Sequence, residues 1–182
     1  MEFLRRLRLL FLPLPLIALA LDSAQAEPSS SSEYSLKAVF LYNFVRFIDW
    51  PDSAFHGKND PLVIGIVGPY PFGSLLYEAV AGESYHGRPI RVDHYNDPRR
   101  IGRCQLLFVG SANADRLDQI LAAVAGRNVL TVGETQRFLS HGGMIALTTE
   151  KNRVGLHINV DSLQNTQLNV SSKLLQVAQV QY

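Results

Sequence analysis

Five histidines, His56, His86, His94, His141 and His157, are the side chains best suited to metal ligation or proton transfer in this chain. No two stand four apart, the spacing that brings imidazoles together on one helix face, so the sequence points to no metal centre. Gly68-Pro69-Tyr70-Pro71-Phe72-Gly73-Ser74 lies where phosphate loops occur, between an apolar run and a helical segment. A phosphate cradle works through consecutive backbone N–H groups, yet Pro69 and Pro71 have none, and Ser74 stands where a lysine is expected. Asp93 could meet a ribose, but no G-x-G-x-x-G precedes it. Ser111 follows an apolar run without the second glycine of a G-x-S-x-G elbow, and a helix cap accounts for it as well. A hydrolase using Ser111 and a histidine is therefore the weakest of three functional readings. No nucleophile, base and orienter assemble, and the expectation is a protein without catalytic residues, cofactor or metal.

The lone cysteine, Cys104, excludes an intrachain disulfide and a Cys-only metal site. It opens the apolar run 104–109 and is expected to be a buried thiol behaving as a small hydrophobe. The first residues constrain the compartment. Arg5, Arg6 and Arg8 precede an uncharged run over 9–21, and Ala24-Gln25-Ala26 supplies a small-x-small cleavage site, so 1–26 reads as a secretory signal peptide. That run is shorter than the ~20 residues a spanning helix needs. Outside the cytosol nucleotide cofactors are scarce, which disfavours kinase, NTPase and dehydrogenase readings. The remaining 156 of 182 residues carry 14 basic and 14 acidic groups, a balance that argues against binding nucleic acid through bulk charge.

Residues 27–33 have no apolar side chain to bury and read as a flexible leader, followed by a single domain over 34–182. Leu36, Val39, Phe40, Phe44, Phe47 and Ile48 recur at helical spacing over 34–49, with Lys37, Asn43 and Arg46 between them. Trp50 before Pro51 ends that helix. The run 62–67 reads as a strand covered on both faces, 74–81 as a helix, and 88–95 as a half-exposed edge strand. A buried strand over 104–109 leads to a helix with the stripe Leu117, Ile120, Leu121 and Val124, stopped at Gly126. A strand over 128–132, a short helix over 135–140, a hairpin of 144–149 and 153–160, a segment 161–164 and a last helix over 171–180 complete the chain. Strands alternating with helices predict a three-layer, Rossmann-like α/β domain, its sheet mostly parallel with a C-terminal antiparallel hairpin.

Two candidate surfaces follow. Open α/β sheets bind ligands beyond the carboxyl ends of strands where strand order reverses, which points to Tyr70, Ser111, Asn113 and Glu134 as a pocket in a small-ligand sensor or solute-binding module. In the hairpin, alternation sends Val154, Leu156, Ile158 and Val160 to the core and Arg153, His157 and Asn159 outward. Met144 shares that outer face and Leu163 follows it, so Met144, His157 and Leu163 are the expected partner-binding residues.

The stretch Lys37-Ala38-Val39-Phe40-Leu41-Tyr42-Asn43-Phe44-Val45-Arg46-Phe47-Ile48-Asp49-Trp50-Pro51 resembles the opening of the YfiR-like family of periplasmic proteins. So do residues 104–111, Gly142-Gly143-Met144-Ile145, residues 154–159 and Ser171-Ser172-Lys173-Leu174-Leu175. The resemblance implies a non-enzymatic periplasmic repressor that binds the periplasmic domain of an inner-membrane diguanylate cyclase, lowering cyclic di-GMP output and biofilm formation. It also implies sequestration by an outer-membrane peptidoglycan-associated lipoprotein. With Cys104 alone, the redox control some relatives draw from an intrachain disulfide does not carry over. Self-association as a homodimer through the first helix is a further expectation, should its aromatic stripe prove to be an interface.

Overall fold

The computed structural model describes residues 30–151 and 153–181. The expected signal peptide over 1–26 and the expected leader's first three residues lie outside them. Helix α1, Ser30–Phe47, begins inside that leader, four residues before the expected helix. Glu33 sits in its first turn, where the helix dipole favours a carboxylate, and pairs with Lys37 one turn on. Ala38, Leu41, Phe44, Val45 and Ile48 are buried, whereas Leu36 and Val39 stay 44% and 48% exposed, so the stripe read from the sequence is rotated.

The helix ends at Phe47, and Ile48–Asp49 (β1) pairs antiparallel with Asn169–Val170 (β9). Trp50 then anchors the turn, its indole N–H donating to the Gln105 carbonyl at 2.9 Å and its backbone N–H to the Tyr85 hydroxyl at 3.1 Å. Leu62–Val67 (β2), Leu106–Val109 (β5) and Leu130–Gly133 (β6) are buried at every position, as parallel strands covered on both faces must be. Between them lie Leu75–Val80 (α2), Ser84–Tyr85 (β3), Arg88–Tyr95 (β4) and Leu117–Val124 (α3). Gln136–Ser140 (α4), Ile145–Glu150 (β7), Arg153–Asn159 (β8), Val160–Gln164 (α5), Ser172–Val177 (α6) and Gln179–Gln181 (β10) follow.

The main sheet runs β10-β8-β7-β6-β5-β2-β4-β3, with only β7–β8 and β3–β4 antiparallel. One core joins Leu41, Phe44 and Leu76 of α1 and α2 to Ile64, Ile66 and Phe108; the other joins Leu117, Ile120 and Val124 of α3 to Val63, Val67 and Leu107. The alternating inward positions of each strand thus feed two opposite cores. Numbered in chain order, the parallel strands β2, β4, β5, β6 and β7 lie 2-1-3-4-5 across the sheet. The mixed α/β expectation, with its mostly parallel sheet, stands at that level.

Two other expectations change. Strand β4 is not the edge, because a tight turn at His86 and Gly87, both at positive φ, folds β3 back against it. The last helix stops at Val177 instead of Val180, and β10 pairs in parallel with β8, so the hairpin does not close the sheet. The hydrogen-bonding edge that β8 would otherwise expose is met by the chain's own end.

Candidate functional site

Strand order reverses between β2 and β5, so their carboxyl ends, at Val67-Gly68 and Val109-Gly110, form the crest where a ligand would enter. Asn113, in a 3-10 turn over Ser111–Arg116, occupies that crest. Its side-chain N–H2 donates to the Val67 carbonyl at 3.0 Å and the Gly110 carbonyl at 3.2 Å, and the residue is 4% exposed. Gly68 makes this possible: its φ is +84°, and a Cβ there would lie 2.5 Å from the Asn113 amide nitrogen. His94 Nε2 also reaches the Gly68 carbonyl.

Glu134, just past β6, completes the crest. One carboxylate oxygen accepts from the Ser111 backbone N–H at 2.7 Å; the other accepts from Lys37 Nζ at 2.5 Å. The Lys37 and Glu134 side chains are only 2% and 5% exposed. Lys37 also pairs with Glu33 and lies 4.9 Å from the centre of the Tyr34 ring. The Thr149 hydroxyl donates to Glu33 at 2.7 Å, extending the network to β7. Burial works to raise the Glu33 pKa, but hydrogen bonds from Lys37 and Thr149 outweigh it and hold the carboxyl below its ordinary value. Burial, with the Glu134 charge added, pushes the Tyr34 hydroxyl up to about 12. An ammonium taken out of water this completely needs such compensation, and two carboxylates supply it.

Ser111, Asn113 and Glu134 therefore come together as the crest expectation required, but they fill it. Tyr70 borders the crest through His94, packed edge-on against Phe72 at 5.8 Å and His94 at 5.6 Å, with burial pushing its hydroxyl pKa up. The space a ligand would use at the switch point is taken by the Asn113 carboxamide and the Lys37–Glu134 pair.

Of the three residues expected to bind a partner, His157 and Leu163 are buried and Met144 is half-buried. Leu156 and Ile158 face the main core as alternation required, but His157 is 9% exposed and Leu163 6%. The His157 Nε2 and Thr148 Oγ1 atoms are hydrogen-bonded at 3.0 Å. Strand β10 places Gln179 opposite His157, continuing the sheet past the position expected to face outward. Leu163 is turned inward by the short helix α5 and joins the core, while Met144 is half-buried with its N–H donating to the Thr131 hydroxyl at 3.1 Å.

Lys37 and Glu33 escaped the sequence reading, which placed Lys37 between the apolar positions. The missed signal is the 4-3-4 spacing of Lys37, Leu41, Phe44 and Ile48, which puts the lysine on the inward face. Cys104 is 3% exposed, with burial pushing its thiol up to about 12. Among the described residues no group of three or more His, Cys, Asp or Glu is placed to hold a metal ion. No helix among them is long and apolar enough to cross a membrane.

Residues 34–179 match the family described as YfiR/HmsC-like, a span that takes in both cores and the crest. Among solved structures, a conserved domain protein from Vibrio cholerae O1 biovar El Tor is 10% identical, with a TM-score of 0.57 over 81% of this chain and 59% of its own. The ABC domain from Streptococcus pneumoniae in complex with L-Trp is also 10% identical, with a TM-score of 0.52 over 77% of this chain and 61% of its own. This chain thus spans about three fifths of either structure, and at such identity the likeness is one of fold.

Proposed function

The chain belongs to the YfiR/HmsC-like family, and from that premise we propose that it is a periplasmic, non-enzymatic regulator that represses an inner-membrane diguanylate cyclase by binding its periplasmic domain. The observation that supports this reading best is the filled crest. Where an open α/β sheet would admit a small molecule, Asn113 donates to the Val67 and Gly110 carbonyls and Glu134 is taken up by Lys37 and the Ser111 N–H. A protein so arranged works through its outer surface. Repression then reduces to differential affinity: the regulator must bind the inactive cyclase conformation more tightly than the active one, about 1.4 kcal/mol for each tenfold shift in their ratio. Capture by an outer-membrane peptidoglycan-associated lipoprotein belongs to the same proposal, as a competing equilibrium that withdraws free repressor.

The test pairs a binding measurement with a cellular one. The exported chain is expected to bind the isolated periplasmic domain of the cyclase saturably, and deletion of its gene to raise cyclic di-GMP and biofilm mass. Absence of binding together with unchanged cyclic di-GMP in the deletion strain would overturn the reading.

A further inference from the structure

The opposite end of the sheet carries a different chemistry. Before β5 and β6 the chain forms a recess of about 270 Å³, lined by Ser53, Arg103, Arg127 and Asn128 with Cys104 among its walls and no acidic side chain. Arg127 is held rigidly: one terminal guanidinium nitrogen donates to the Ala123 carbonyl at 3.0 Å, the other to the Gly102 carbonyl at 2.5 Å. Its neighbour Asn128, at a φ of 53°, is fixed in turn by a reciprocal pair of 3.1 Å hydrogen bonds with Gln167. Neither carbonyl neutralises the Arg127 charge. Arg103 shares the recess and has no carboxylate within ion-pair distance among the described residues.

The nearby acids are already engaged. Asp93 takes Arg91 in a two-point contact at 2.8 and 2.9 Å; Asp97 takes Arg99 and lies 3.8 Å from Arg116. Asp60, on the far side of Arg103, accepts the backbone N–H groups of His56 and Gly57. A chain whose overall charge is nearly balanced thus gathers two uncompensated guanidinium groups at one small concavity. Planar guanidinium forks match tetrahedral oxyanions at two points, and a fork already immobilised loses little freedom on binding. We propose that this recess is a binding site for a phosphoryl group, held between Arg103 and Arg127 with the Ser53 hydroxyl as a further donor. The site lies away from the crest and does not rest on the regulatory reading. Its ligand chemistry is shared by free phosphate, including phosphomonoesters, and by the phosphodiester of a lipid headgroup.

The experiment titrates the full exported chain with inorganic phosphate and follows the amide resonances of Gly102, Cys104 and the 126–128 turn. Saturable shifts are expected, and Arg103→Gln is expected to weaken them tenfold or more with unchanged thermal melting, since its side chain makes no polar contact among the described residues. Arg137→Gln, a charge change at an exposed position of α4, is expected to leave the titration as it was. A second arm sediments the protein with phosphatidylglycerol or phosphatidylcholine vesicles. Phosphate saturation without vesicle binding assigns the free anion, whereas phosphatidylglycerol-specific binding lost in Arg103→Gln assigns the headgroup. Failure of both arms, or equal weakening by Arg103→Gln and Arg137→Gln, would overturn the site.

Discussion

Lys37 and Glu134 stand 97 positions apart in the chain and meet at 2.5 Å with both side chains almost fully enclosed. The contact ties α1 to the carboxyl end of the sheet, and through Ser111 it also holds the loop after β5. Removing one partner of such a pair leaves the other buried and uncompensated.

Lys37→Met is therefore expected to destabilise the fold by about 3–5 kcal/mol, the usual consequence of orphaning a buried charge. The double variant Lys37→Met with Glu134→Gln is expected to regain much of that loss, because the amide oxygen can still accept from Ser111. Urea unfolding of the single and double variants gives the coupling directly. A double variant no more stable than Lys37→Met would show that the pair does not tie α1 to the sheet.

The contrast between this pair and the strands explains what was legible in the sequence. Runs such as 62–67 and 104–109 announce covered strands because every side chain obeys the same rule, and the observed β2 and β5 fall inside them. The hairpin's alternation likewise put Leu156 and Ile158 inward. Lys37 breaks that rule: its spacing from Leu41, Phe44 and Ile48 puts it on the inward face, but the partner that lets a cation stay there, Glu134, comes from a distant element that no local pattern identifies. Position 157 shows a related limit: alternation sets it on the face opposite Leu156 and Ile158, but that β8 gains a parallel neighbour in β10 comes only from tertiary pairing. Ser111, Asn113 and Glu134 were placed at the crest by a topological rule, yet that they plug it follows from side-chain geometry alone.

Alkaline conditions should expose the buried thiol. Cys104 titrates near its ordinary 9 when unfolded and about 12 in the fold, where burial disfavours the thiolate. Between those values the native state binds more protons than the unfolded one, so stability is full below pH 9 and falls as the pH rises toward 12. Tyr34, raised from 10 to about 12, adds to the fall in the upper part of that window. Denaturation midpoints measured from pH 8 to 11 should decline, and Cys104→Ala should flatten the decline. In the native protein at pH 8 a thiol reagent should react slowly, at a rate that rises when the chain is unfolded.

Gly68 should tolerate no side chain. Its φ of +84° disfavours an L-residue, and a Cβ would overlap the Asn113 carboxamide that joins β2 to β5. Gly68→Ala is expected to be more damaging than Gly73→Ala, whose φ is also positive but whose Cβ would enter open space. Comparing the two melting temperatures separates the backbone cost, common to both, from the steric cost, present only at Gly68. Equal losses would show that Asn113 yields freely and that the crest is not a fixed plug.

A charge placed at Leu163 should unfold the domain rather than report on a partner. The side chain is 6% exposed within the main core, and an aspartate there would be desolvated without a counter-ion. Val177, at the end of α6, is 72% exposed, so the same charge there should leave the melting temperature within a degree or two of the parent, as surface substitutions generally do. Circular dichroism melts of Leu163→Asp and Val177→Asp test the pair. The order matters for any assay of cyclase binding, because affinity lost in Leu163→Asp would follow from lost structure, whereas affinity lost in Val177→Asp would place the partner against α6. Retention of a cooperative, native-like melt by Leu163→Asp would contradict its place in the core.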